Sequence, residues 1–130
     1  MYWGTGNGGP WIADQRPGDN LYATSVIGLD ADTGSITTYH QYHWNGTWDW
    51  DEVSAPLLID IVRAGRKIKG LIHAGRNGYL WILERTPEGI NFVDATPYVR
   101  QNVFISLDSK SGRPEYDPGK VPKTGKRVEF

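Results

Sequence analysis

The sequence predicts an all-β fold of antiparallel sheets, and three observations predict it. Helical periodicity is absent: proline or glycine interrupts most windows, and alternating or β-branched runs dominate. The composition suits strands joined by tight turns, with sixteen glycines, eight prolines, six tryptophans and seven tyrosines in 130 residues. A strand–turn–strand unit also occurs twice. Gly28-Leu29-Asp30-Ala31-Asp32-Thr33-Gly34 runs on to Tyr39, and Ser106-Leu107-Asp108-Ser109-Lys110-Ser111-Gly112 runs on to Tyr116. Repeats of this kind predict blades of a β-propeller. The turn glycines, Gly34 and Gly112, are 78 residues apart. The chain therefore holds about two blades, where closed propellers have roughly four to eight. It is expected to be a piece of a larger protein, a module whose copies assemble, or a small open β-module.

The elements follow in order. A short strand at Tyr2-Trp3-Gly4 leads into a long loop from Asn7 to Asn20. Leu21 to Leu29 and Ser35 to Tyr42 form a hairpin around Asp30–Gly34. Leu57 to Val62 and Lys67 to His73 flank a turn near Ala64-Gly65. Tyr79-Leu80-Trp81-Ile82-Leu83, apolar and aromatic throughout, is the clearest strand of the chain. Thr86–Gly89 turns it into Ile90 to Asp94, and Asn102 to Leu107 is the last strand expected. From Asp117 onward, prolines and glycines among Lys120, Lys123, Lys126 and Arg127 read as a loosely held tail or linker.

Composition also excludes function classes. No apolar run approaches the roughly 20 residues that span a bilayer, and no signal peptide is visible at the N-terminus. Without cysteine there is no disulfide, thiolate metal site or thiol chemistry. Net charge is −1, divided into −7 over residues 1–60 and +6 over residues 61–130. Such halves fold back on one another or pair between copies, which makes a homo-oligomer one expectation. The dispersed bases, mixed with acids, are not a nucleic-acid footprint.

The chemistry concentrates in Gln41-Tyr42-His43-Trp44-Asn45-Gly46-Thr47-Trp48-Asp49-Trp50-Asp51-Glu52. Carboxylates alternating with indoles at strand spacing would share one face between aromatic walls, a setting that shifts a pKa or holds a cation. A turn whose tryptophans fill a core while its acids face water would use the same residues. Gly4-Thr5-Gly6-Asn7-Gly8-Gly9 matches a dinucleotide fingerprint, but Pro10 and Pro17 forbid the helix that fingerprint needs. Its glycines free the backbone so that Asn7 can aim its amide oxygen. Asn7, Asp49 and Asp51 make an all-oxygen set suited to a hard cation, although such an ion takes about six or more oxygens. His40 and His43 fall on opposite faces of a strand, and His73 is distant, so no histidine metal site is expected. Asn45-Gly46-Thr47 is a glycosylation sequon in form and an Asn-Gly turn in context. Arg76-Asn77-Gly78 is a hairpin turn whose arginine offers a planar fork to a carboxylated ligand.

Taken in order, Tyr2-Trp3-Gly4-Thr5-Gly6-Asn7, Arg16-Pro17-Gly18-Asp19-Asn20-Leu21-Tyr22, Trp48-Asp49-Trp50-Asp51 and His73-Ala74-Gly75-Arg76-Asn77-Gly78 resemble a known family. They are similar to the pyrroloquinoline-quinone (PQQ)-dependent alcohol dehydrogenases of the methanol/ethanol type, which are eight-bladed propellers. The resemblance covers residues 1–117 as a partial propeller segment, with 118–130 as the tail or linker outside it. It implies a periplasmic enzyme that oxidises a small primary alcohol to an aldehyde by hydride transfer to metal-bound PQQ, with a cytochrome-type electron acceptor. Residue by residue, it makes Asn7 a ligand of the metal and Asp49 the catalytic base, also placed at cofactor and metal. Arg76 becomes the contact to the quinone oxygens. Asp51 matches an extra aspartate of the lanthanide-using branch, so the metal is calcium or a lanthanide. The family's glutamate ligand, stacking tryptophan and adjacent-cysteine disulfide have no counterpart here, and the isolated chain is expected to be inactive unless it assembles. Tyr39 and Tyr116 stand where the family's blade-docking motif has tryptophan, and Gly75 stands where it has aspartate. A non-catalytic propeller-derived binding or self-assembling module is the alternative expectation.

Overall fold

Strands form where apolar residues alternate and end where glycine, proline or an Asx turn intervenes. The computed structural model, which describes residues 1–129, has nine strands in three antiparallel sheets. The first sheet joins β1 (Tyr2–Gly4), β2 (Ser25–Leu29) and β3 (Ile36–Gln41) in that order. The second is a four-stranded meander of β4 (Leu57–Arg63), β5 (Arg66–Ala74), β6 (Tyr79–Thr86) and β7 (Gly89–Pro97). The third pairs β8 (Phe104–Leu107) with β9 (Pro114–Tyr116). One complete blade-like sheet therefore stands between two partial ones, the all-β architecture expected.

The core lies between the sheets. In β6, Trp81 and Leu83 point inward and are fully buried, while Leu80 before them is exposed and Ile82 between them is half-buried, the two-residue alternation of a strand with one wetter face. Leu71 of β5, Val26 of β2 and Phe104 of β8 meet them, with Tyr42 just past β3. β3 and β7 approach edge to edge, where the Ile90 amide donates to Thr38 Oγ1 at 2.9 Å.

The repeated turn is built identically both times. Asp30 Oδ1 accepts from the amides of Asp32 and Thr33 and from Thr33 Oγ1. Asp108 Oδ1 accepts from the amides of Lys110 and Ser111 and from Ser111 Oγ. These bonds hold both carboxyls below the usual aspartate range, mainly the Thr33 amide at Asp30 and the Ser111 hydroxyl at Asp108. The turn glycines have positive φ, 73° at Gly34 and 71° at Gly112. A methyl group on Gly34 would meet nothing within 4 Å, whereas on Gly112 it would lie 2.5 Å from Phe92 Cδ2. Gly34→Ala is expected to cost about 1 kcal/mol of backbone strain, and Gly112→Ala about 2–4 kcal/mol once the clash is added. Urea unfolding midpoints of the two variants check this difference.

Several sequence expectations need correction. The strand expected from Leu21 begins only at Ser25, because Asn20 and Thr24 have positive φ and the chain turns between them. The strand expected from Asn102 begins at Phe104. β9 is the return strand that the second strand–turn–strand repeat implies but the element-by-element reading omits; it is three residues long and starts on a proline, so it carries no alternation to read. The two repeat tyrosines differ in environment. Tyr39 is exposed and meets Tyr22 edge-on, whereas Tyr116 is in the core, stacked on Trp44 with ring centroids 4.6 Å apart.

The stretch after Asp117, expected to be loosely held, is pinned at several points. The Trp48 indole donates to the Lys120 carbonyl at 2.9 Å, Thr124 bonds Asp14, and Val121 packs on the core. The oppositely charged halves meet within the chain through Asp19–Arg113, Asp51–Arg76 and Asp60–Arg85.

Candidate active site

Three loops converge at one end of the sheets. The first follows β1 and carries Asn7. Its side-chain amide donates to the Gly8 carbonyl at 2.9 Å, which fixes the amide's orientation. Asn7 Oδ1 is left buried and without a hydrogen-bond partner. The cost of such an orphan makes it a marker of a missing partner. A methyl group on Gly46 would sit 2.8 Å from this oxygen and 3.0 Å from His43 Nε2, a second orphaned buried atom. Any side chain at 46 would therefore collide with both atoms.

The second loop is the acidic-aromatic stretch. It is not a strand, so the expected side-by-side carboxylates do not form. Asp49 adopts a left-handed conformation, φ 57°, which redirects the chain between Trp48 and Trp50. The two indoles stack at 5.1 Å. Asp49 lines a groove of about 500 Å³ together with Trp11, Thr47, Trp48, Trp50 and Arg100. Asp51 instead turns toward the first loop: its Oδ1 accepts the Asn7 backbone N–H at 2.7 Å.

The third loop is Gly75–Gly78. Arg76 Nη1 lies 3.5 Å from Asp51 Oδ2, and its guanidinium is more than half exposed. Asp51 thereby joins Asn7 to Arg76. No hydrogen bond or ion pair among the described residues joins Asp49 to Asn7, Asp51 or Arg76.

Two residues that the sequence did not mark hold this arrangement. Asn77 is buried; its Oδ1 accepts from the Tyr79 amide and the Trp81 indole, both at 3.1 Å. Glu52, given no separate role within the acidic-aromatic stretch, is 1% exposed.

The histidines also differ from expectation. His43 lies beyond the end of β3, and His73 comes to the same buried cluster, 2.7 Å from Glu52 through Nε2. Burial pushes His43 down to about 3 and His40 down to about 4, the latter with help from nearby His73. His43 is therefore neutral at neutral pH, and its 3.5 Å approach to Glu52 Oε1 is a polar contact rather than an ion pair. Among the described residues no three or more histidine, aspartate or glutamate side chains are grouped to hold a metal. Asn45 spends its amide N–H groups on the Arg16 and Gly18 carbonyls, which seals the Asn-Gly turn.

Antiparallel blade-like sheets, with an unpartnered amide oxygen, a paired aspartate and an arginine at one end, define a segment of a β-propeller. The comparisons agree on the fold. The chain belongs to the family described as PQQ glucose/ethanol/alcohol dehydrogenase, β-propeller domain, whose model matches residues 1–97. It is 38% identical over 117 residues to quinohemoprotein alcohol dehydrogenase of Comamonas testosteroni, covering 88% of this chain and 16% of that protein. It is also 38% identical over 122 residues to methanol dehydrogenase [cytochrome c] subunit 1 of Methylorubrum extorquens, covering 91% and 19%. A solved europium-containing methanol dehydrogenase superposes with TM-score 0.87 at 32% identity, covering 95% of this chain and 21% of that one. The chain thus spans about a fifth of the length of the relatives it matches. No helix among the described residues is long and apolar enough to cross a membrane.

Proposed function

We propose that this chain is the segment of a quinoprotein alcohol dehydrogenase that supplies one side of the cofactor and metal site. The observation that carries the proposal is the buried, partnerless Asn7 Oδ1. A neutral amide oxygen held in this way suits a hard cation, and it lies on the loop that Asp51 pins. Asn7 and Asp51, which lie together, fit the implied cation as oxygen donors with Arg76 at the quinone, while Asp49, which lines the neighbouring tryptophan groove, joins them as a donor by family resemblance. The ion is calcium or a lanthanide; the second carboxylate, Asp51, weights the choice toward the trivalent ion.

PQQ, when bound, supplies the two-electron oxidant for an alcohol carbon, and the cation supplies Lewis acidity. The chain's own residues do the rest. Asp49 accepts the proton of a small primary alcohol's hydroxyl as that alcohol becomes an aldehyde. The Trp48–Trp50 stack walls the groove against water beside it. The left-handed backbone at Asp49 is the kind of local strain kept where a side chain must be aimed. Arg76, steered by Asp51, presents positive charge where negative charge develops on reduction. By analogy with the quinohemoprotein and cytochrome c relatives, a cytochrome-type protein accepts the electrons, and the periplasm is the compartment that the family resemblance implies.

The test is reconstitution of the whole protein that contains this chain with PQQ and calcium or lanthanum, followed by ethanol-dependent dye reduction. Asp49→Asn is expected to lower kcat by about 10²–10⁴ while leaving cofactor absorbance in place. Turnover by the Asn variant equal to the parent's would remove Asp49 from the reaction. Absence of PQQ uptake would favour the binding module that kept the scaffold without the chemistry.

A further inference from the structure

We infer that Glu52 is a positioning residue that locks the three site loops into one unit. Its functional meaning rests on the reading above, which it deepens by naming what sets Arg76 and Asn7 against Asp51. Glu52 Oε2 lies 2.7 Å from His73 Nε2 and accepts the backbone N–H of Arg76 at 3.2 Å. Its own N–H donates to the Thr5 carbonyl at 3.2 Å, two residues before Asn7. The preceding residue, Asp51, accepts the Asn7 N–H and faces the Arg76 guanidinium. Two consecutive acids thus hold Arg76 by both its backbone and its side chain, and hold the Asn7 loop from two points.

The fold does not need Glu52 to make the Arg76 turn. That turn is closed by its own backbone, Gly78 N–H to Gly75 O at 3.0 Å and Gly75 N–H to Tyr79 O at 2.9 Å. A buried carboxyl is costly, and an apolar residue of similar volume is often neutral or stabilising in such a place. What the carboxyl adds is the location of the turn relative to Asp51. His73 closes the arrangement from β5, and His43, with the Asn77 amide at 3.5 Å from its Nδ1, backs the other carboxyl oxygen.

Amide hydrogen exchange on this chain tests the inference without cofactor. In Glu52→Leu the Arg76 amide is expected to exchange at least about tenfold faster relative to amides of the β5–β6 ladder. Glu52→Gln retains an acceptor oxygen and should stay within about threefold of the parent. Parallel acceleration of all amides, or an unchanged Arg76 amide in Glu52→Leu, would overturn the inference. Should the Leu variant not fold, the Gln variant alone decides by NMR. The Arg76 amide proton shifts when its acceptor becomes a neutral amide, while β5–β6 amides stay in place, and no shift there contradicts the inference. Terbium titration of the same variants separates this idea from the cation reading. Glu52→Leu should bind terbium at least about tenfold more weakly than Glu52→Gln, the affinity following the loop geometry. No terbium binding by any form contradicts the proposed function, whereas the exchange result decides Glu52.

Discussion

Truncating Trp81 to alanine is expected to destabilise the chain by about 3–5 kcal/mol, a large part of a small domain's stability. Trp81 is fully buried and touches rings on several elements: His40 of β3, Tyr42 beyond it, Tyr79 of its own strand and Phe92 of β7. Removing it leaves a cavity between the first two sheets, where the interface cannot collapse without moving β3. Its indole also donates to Asn77 Oδ1, so the loss reaches the Arg76 turn. Trp81→Phe keeps most of the packing but drops that bond, and should cost about 1–3 kcal/mol. Urea unfolding followed by circular dichroism at neutral pH ranks the two variants. A Phe cost equal to the Ala cost would show that the hydrogen bond, not the volume, dominates.

Stability should fall steeply as the pH drops below about 6.5, through two buried histidines. His40 and His43 have folded-state values near 4 and 3, against 6.5 when exposed. The unfolded chain therefore binds protons below pH 6.5 that the folded chain refuses. Stability from these groups is complete above pH 6.5 and is lost as pH falls toward 4 and then 3. Each contributes roughly 1 kcal/mol per pH unit in that window. Nearby His73 adds to the depression at His40, whereas at His43 burial is the cause. Asp19, held low chiefly by its bond to Arg113, is affected only at more acid pH, so the histidine window stands apart. Urea midpoints at pH 5 and pH 7 for His40→Gln and His43→Gln test this. Each variant should flatten the profile, and a parent profile level down to pH 5 would contradict it.

How much was legible in the sequence varies with the physics behind each feature. Tyr79 to Leu83 is legible because an unbroken apolar and aromatic run of strand length carries strong β-propensity, and β6 extends from it to Thr86. The two Asp–Gly turns were readable because an aspartate that caps its own turn needs only local sequence. Thr24 was not readable as a turn. Its positive φ is sustained from far away, by burial and by a hydroxyl bond to the His43 carbonyl at 2.5 Å. The same holds for the candidate site. Asn7, Asp51 and Arg76 were named from motif and residue type, and the fold brings those three together. Glu52 and Asn77 escaped because their value lies in tertiary partners: a carboxyl looks exposed until His73, over 20 residues away, arrives beside it.

The account rests on Asn7 Oδ1 being a ligand for a hard cation. Terbium titration of this chain, read by emission sensitised through the neighbouring tryptophans, measures that directly. The account predicts saturable emission, displaced by calcium or lanthanum, with affinity at least about tenfold weaker in Asn7→Ala. Terbium binding that is absent, or identical in the parent and Asn7→Ala, would contradict it.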